Sequence, residues 1–340
     1  MRHLPMSLVL LLALFASVNS AGQNSPFISG GVGFVSTTSG GQTFLQPIID
    51  PVGVLPIGNH LLFESRADLR EFIQRQNGNG PYEGTFFGSL EYLQLDIIAN
   101  SKLTITAGRF LTPFGIYNER LSPIWSKNLQ DAPLIYPIGT RTSGSSDGMM
   151  VRGALISTPK IELNYTAYFS SMVTGEQFGS GRAAGFRTGI FVPSKRLELG
   201  MSFQRFLQDQ HYNALGAHLA WKPWSVPVDV KAEFAHSPSG NGYWIETAYQ
   251  RRLPRGQETW ATRFQPVFRM QQFSRSSILP GDFLPGVGTQ QADFGLNYHL
   301  PHELRLNASY SRQFSDQGNR NTWNLAVTYH FILPIGVEAK

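Results

Sequence analysis

From about residue 60 onward the chain alternates apolar and polar residues with a period of two, in runs of roughly ten to fourteen. Val228–Phe234 shows the pattern most plainly. Val228, Val230, Ala232 and Phe234 fall on one face of a strand, and Asp229, Lys231 and Glu233 on the other. A soluble sheet alternates too, with its charged face toward bulk water. Here the runs come with aromatic strand ends and with connections that are by turns long and short. That combination predicts an all-β fold: a closed antiparallel transmembrane barrel with lipid outside and a polar lumen inside.

Residues 1–20 read as a secretory signal. Arg2 and His3 make a basic start, Leu8–Phe15 an apolar centre, and Val18-Asn19-Ser20-Ala21 a small-residue cleavage region. The apolar centre is too short for a spanning helix. With no cysteine, the chain has neither disulfides nor a lipidated cysteine, so membrane residence has to come from the fold. Hydrophobic residues make up 41%, as suits a barrel in which only alternate residues meet lipid. The net charge of +5 is scattered, and no basic run supports nucleic-acid binding.

The pattern divides the chain into the signal, an N-terminal segment 21–59, a barrel over 60–332 and a tail 333–340. Gly30-Gly31-Val32-Gly33 followed by Pro47, Pro51 and Pro56 suggests a plug or periplasmic extension, because prolines interrupt a ladder. The rest reads as about fourteen strands, within a range of about 12–16. The longest connection, Pro113–Asp147, follows the third of them. Glu91 shares parity with the apolar Leu93 and Leu95, a conflict that a bulge near Gly88 would relieve. Trp221, Trp260, Tyr329 and Phe331 at one set of strand ends, with Tyr243 and Trp323 at the other, suggest two interfacial girdles.

Gly108-Arg109-Phe110-Leu111-Thr112-Pro113-Phe114-Gly115 resembles a G-[RQK]-F-x-x-P-F-G signature of outer-membrane porins, the phosphate-selective type among them. The resemblance implies a bacterial outer-membrane porin whose long loop folds into the pore. Tyr329-His330-Phe331 resembles the aromatic-ended last strand read by the barrel-assembly machinery, although here Ile332–Lys340 follow it. Porins of this kind are often trimers, so a homotrimer is the assembly the resemblance suggests.

Inward parity selects the bases Arg66, Arg70, Arg152, Arg187, Lys231, Arg263, Arg269 and Arg305. It also selects the acids Glu64, Asp68, Asp96, Glu162, Glu198, Asp229, Glu233, Glu246 and Asp293. The two signs nearly cancel, which argues against a strongly anion-selective path. Such charges either pair across strands and stiffen the wall or line a weakly selective, water-filled pore. In the pore reading, Glu119, Arg120, Lys127, Asp131 and Arg141 of the long loop form the constriction. The function expected is passive diffusion of small hydrophilic solutes or ions, with no cofactor and no metal.

Two other classes stay open. One is a non-conducting structural or docking barrel. The other is an acyl hydrolase, since His236-Ser237-Pro238-Ser239-Gly240-Asn241 lies where barrel lipases carry an outward His-x-Ser pair. The spacing differs, however, and turn chemistry supplies the same residues, so the reading is that the chain is not an enzyme. At the extracellular rim, outward parity places Arg182, Arg205, His211 and His236 on neighbouring strands, with Arg75 and Arg312 elsewhere on the rim. These suit contact with the phosphates of lipopolysaccharide.

Overall fold

The computed structural model describes residues 25–140, 144–171, 181–208, 211–249, 259–279 and 281–335. The signal reading therefore lies outside the described residues, as do Arg141 and the end of the tail. Sixteen strands form one closed sheet in which every neighbour is antiparallel. They are β1 Phe27–Ser39, β2 Gln42–Ile57, β3 Leu61–Arg75, β4 Tyr82–Asn100, β5 Leu103–Leu111, β6 Ser145–Ser157, β7 Glu162–Ser171 and β8 Ala183–Val192. There follow β9 Leu197–Phe206, β10 Tyr212–Trp221, β11 Val228–Ser237, β12 Gly240–Tyr249, β13 Phe264–Arg275, β14 Thr289–His299, β15 Leu304–Ser315 and β16 Arg320–Pro334.

The fourteen strands read from periodicity are β3–β16. The two beyond that reading come from the N-terminal segment, which is wall and not plug. Pro47 and Pro51 fit because β2 pairs without a break to β1, whereas its ladder to β3 skips Gln46-Pro47 and Asp50-Pro51, and Pro56 lies near the strand's end, past its pairing with β1. A proline nitrogen, having no hydrogen, is tolerated where no partner is asked of it. The glycines have a different origin. Gly31 and Gly33 face inward beneath the long loop, where a Cβ would lie 2.6 Å and 2.5 Å from Ile124 side-chain atoms. β1 also closes the barrel on β16, with Phe27 opposite Pro334 and Ile28 opposite Leu333. The start of the expected tail is thus the end of the last strand.

Outward parity holds. Leu199, Met201 and Phe203 on β9 and Trp323, Leu325, Val327 and Tyr329 on β16 all face out, Leu325 with 61% of its surface exposed. This apolar band, together with closure of the sheet, makes the protein an outer-membrane barrel, since only a closed sheet leaves no open edge in lipid. The parity conflict in β4 resolves at Glu91 itself. Arg66 pairs with Tyr92 and Ala67 with Leu90, so Glu91 is the bulged residue, three positions beyond the one expected.

Candidate pore and its inward-folded loop

Residues 112–140 leave β5 and fold into the barrel. The loop closes at its neck, where Thr112 N–H donates to the Gly144 carbonyl at 2.9 Å. Buried Asn118 donates to both the Thr112 and Gly144 carbonyls, at 3.0 and 2.5 Å. From there the chain crosses the lumen and covers the inner face of the wall from β8 round to β2. Phe114, Ile116, Tyr117, Ile135 and Ile138 pack on inward apolar residues, among them Ala214, Ala235, Trp244 and Phe273. Ile124 packs with Val35, Ile48 and Ala326, and Leu129 with Ala248 and Val267. The inner wall therefore carries apolar patches among its polar residues where the loop lies, a correction to the uniformly polar lumen that alternation suggests.

Polar wall residues fix the loop's path. Glu233 accepts the N–H of Tyr117 at 3.1 Å, and Ser202 accepts that of Gly115 at 3.1 Å. Gly115 has φ +64°, and a side chain there would run into the Glu233 carboxylate. Arg187 donates to the Gly115 carbonyl at 3.1 Å and forms an ion pair with Glu119. Arg120 reaches across to Glu198 with two bonds of 2.6 and 2.8 Å. Farther along, Asp50 accepts Ile124 N–H at 3.3 Å while gripping Arg66 at 2.6 and 3.0 Å. Asn128 donates to Glu246 at 2.7 Å, and Asn324 donates to Asp131 at 2.9 Å.

What the loop leaves open is a cavity of about 570 Å³ between its Glu119-Arg120 edge and the wall of β3–β8. Phe110, Leu111 and Met150 line it toward the loop, and Glu64, Gln94, Arg152, Glu162 and Asn164 toward the periplasmic turns. Arg152 bonds Asp96 at 2.9 Å, so every cation lining the cavity is matched to a carboxylate.

The residues expected in the lumen divide accordingly. Arg152, Arg187, Glu119 and Arg120 line the open cavity. Arg66 and Glu233 hold the loop. Arg269 is paired with Asp293 at 2.8 Å across β13 and β14, as cross-strand pairing predicts for wall charges, whereas Lys231 pairs at 3.1 Å with Asp229 of its own strand. Arg70 pairs with Asp68 on its own strand. Arg305 donates to the Ile124 carbonyl at 2.9 Å. Arg263 is a correction: it ends the 3-10 turn Trp260–Arg263 that precedes β13, so it is not on the spanning wall. Lys127 and Asp131 are corrected too. They lie against β1–β3, beside a separate cavity of about 60 Å³ that also meets Asp50 and Arg70. Burial pushes the Lys127 ammonium down to about 8, and the charge of Arg70 adds to the shift.

Tyr92 lines the main cavity and escaped the sequence reading, which drew only charged residues from the inward set. The shared parity of Tyr92, Gln94 and Asp96 was the available signal. The hydrolase alternative loses its geometry: His236 is exposed on the outer face of β11, while Ser237 is buried on the inner face and accepts Ser239 N–H at 3.2 Å.

No protein-family model matches the sequence, and no curated protein resembles it closely enough to count as a relative. Solved structures match over nearly the whole chain. The high-pH structure of Pseudomonas putida OprB aligns with a TM-score of 0.62 at 12% identity, covering 90% of this chain and 94% of that one. Salmonella typhi OmpF, solved in complex with daunomycin, gives 0.58 at 14% identity, with coverages of 90% and 97%. An anion-selective porin from Comamonas acidovorans gives 0.52 at 10% identity, with coverages of 91% and 100%. The chain has the porin fold. At these identities the likeness is one of architecture, and the phosphate-selective type suggested by Gly108–Gly115 is not singled out. The segment does end β5 and open the inward-folded loop, the context in which the signature was expected.

Proposed function

We propose that this barrel is an outer-membrane porin for passive, weakly selective diffusion of small hydrophilic solutes or ions. The observation that carries the reading is the one-sided placement of the long loop. It is bonded to the wall over β8–β2 and leaves a polar cavity against β3–β8. Each arginine at that cavity is paired with a carboxylate, and Glu64 and Glu162 add acid without an ion-paired base, so the path is wetted and its field leans modestly toward cations, which suits weak selectivity. Glu119, Arg120, Arg152 and Arg187 are the constriction residues in this reading, with Glu64 and Glu162 on the periplasmic side. The solvent-facing rim residues Arg182, Arg205, His211 and His236 are proposed to meet lipopolysaccharide phosphates.

The test is planar-bilayer conductance of the intact protein and of a variant in which residues 119–143 are replaced by a short Gly-Ser link. The truncated barrel should pass more current per channel. It should also unfold more easily, because Trp244 and Phe273 lose their cover. Silence from both proteins would favour a non-conducting structural barrel.

A further inference from the structure

Of the arginines that parity assigned to the inner wall, Arg66, Arg70, Arg152, Arg187 and Arg269 each hold a carboxylate. Arg305 does not. It is 7% exposed and forms no ion pair with any described residue. Its Nη2 donates to the Ile124 carbonyl at 2.9 Å, and its Nε is buried without a partner. The nearest acid along the chain, Glu303, is exposed on the turn before β15.

The neighbours in register are polar and uncharged groups, and no described carboxylate bonds the guanidinium. His299 on β14 and Thr328 on β16 stand in register on either side of Arg305. His299 bonds the Gln265 amide oxygen at 3.0 Å through Nε2. His330, farther along β16, stacks on Trp125 of the loop at 5.3 Å. A clamp on the Ile124 carbonyl needs only a neutral donor, and a glutamine or asparagine amide could provide one. A guanidinium in that position carries a charge that burial penalises unless something offsets it. Buried cations in proteins are matched by a carboxylate or by a bound anion, and among the described residues no carboxylate pairs with Arg305.

We propose that Arg305 forms a binding site for a small monovalent anion of halide size at the periplasmic end of the lumen. The anion completes the charge balance under the elbow Ile124-Trp125 and so ties the loop to β14–β16. The site does not depend on whether the barrel conducts.

Crystals of the full chain grown in bromide give the direct test. The wild type should show an anomalous peak at the Arg305 guanidinium, and Arg305→Met should lose it. Thermal unfolding provides a second measurement. At equal ionic strength the wild type should be more stable in chloride than in gluconate, and Arg305→Met should lose that difference. If Arg305→Met does not fold, the wild-type bromide map decides alone. A wild-type map with no bromide at Arg305, or a chloride effect undiminished in Arg305→Met, would overturn the proposal.

Discussion

Asp50→Ala is the most informative single substitution for the loop's attachment. Asp50 lies on β2 with 2% of its surface exposed, and it grips the Arg66 guanidinium, itself 4% exposed, through two bonds. It also accepts Ile124 N–H from the loop. Removing the carboxylate strands a buried cation, which costs about 3–5 kcal/mol. Ser122, which accepts from Arg66 Nη1 at 3.2 Å, and the Trp125 ring at 5.7 Å offset part of that loss. Asp50→Ala combined with Arg66→Met should recover most of the stability, because a buried pair replaced by apolar groups is often close to neutral. Urea unfolding in detergent, followed by heat-modifiable mobility, measures both variants. Wild-type stability in the single variant, or no recovery in the double, would refute the reasoning.

Two further outcomes follow from single features. Because Lys127 titrates at about 8 in the folded protein and near its ordinary 10.5 when unfolded, the unfolded chain binds the extra proton between those values. Stability should therefore rise with pH across that window, and Lys127→Met should flatten the rise and gain about 1–3 kcal/mol at neutral pH, discounted for the residue's partial exposure; melting temperature against pH checks it. Arg182→Ala with Arg205→Ala should reduce co-purified lipopolysaccharide and leave conductance unchanged, whereas equal lipid retention would return the rim to ordinary solvated surface.

The wall from β3 to β16 was legible because alternation there reports one thing, lipid on one side and not on the other. β1 and β2 were not legible, for two local reasons. Pro47 and Pro51 look like strand breakers until the ladder gaps toward β3 are known, and Gly31 and Gly33 look like loop until Ile124 is seen above them. The loop's destination was anticipated, but which wall it would cover was not. That choice is made by Trp244, Phe273, Ala214 and Ala235, inward apolar residues that break the polar half of the alternation. Their irregularity was a readable signal: apolar inward positions in a barrel need a cover. For Lys127 and Asp131, loop residues carry no parity, so nothing in the sequence separates the open side of the loop from the side facing β1–β3.

The central claim is that the cavity between the loop and β3–β8 is the path through the barrel. The chain has no cysteine, so Asn164→Cys introduces one thiol on the wall of that cavity. In a planar bilayer, single channels of this variant should conduct as the wild type does. Their current should then drop in discrete steps when a bulky, charged thiol reagent is added, with the wild type unaffected. Channels that conduct unchanged after complete modification would show that the path runs elsewhere.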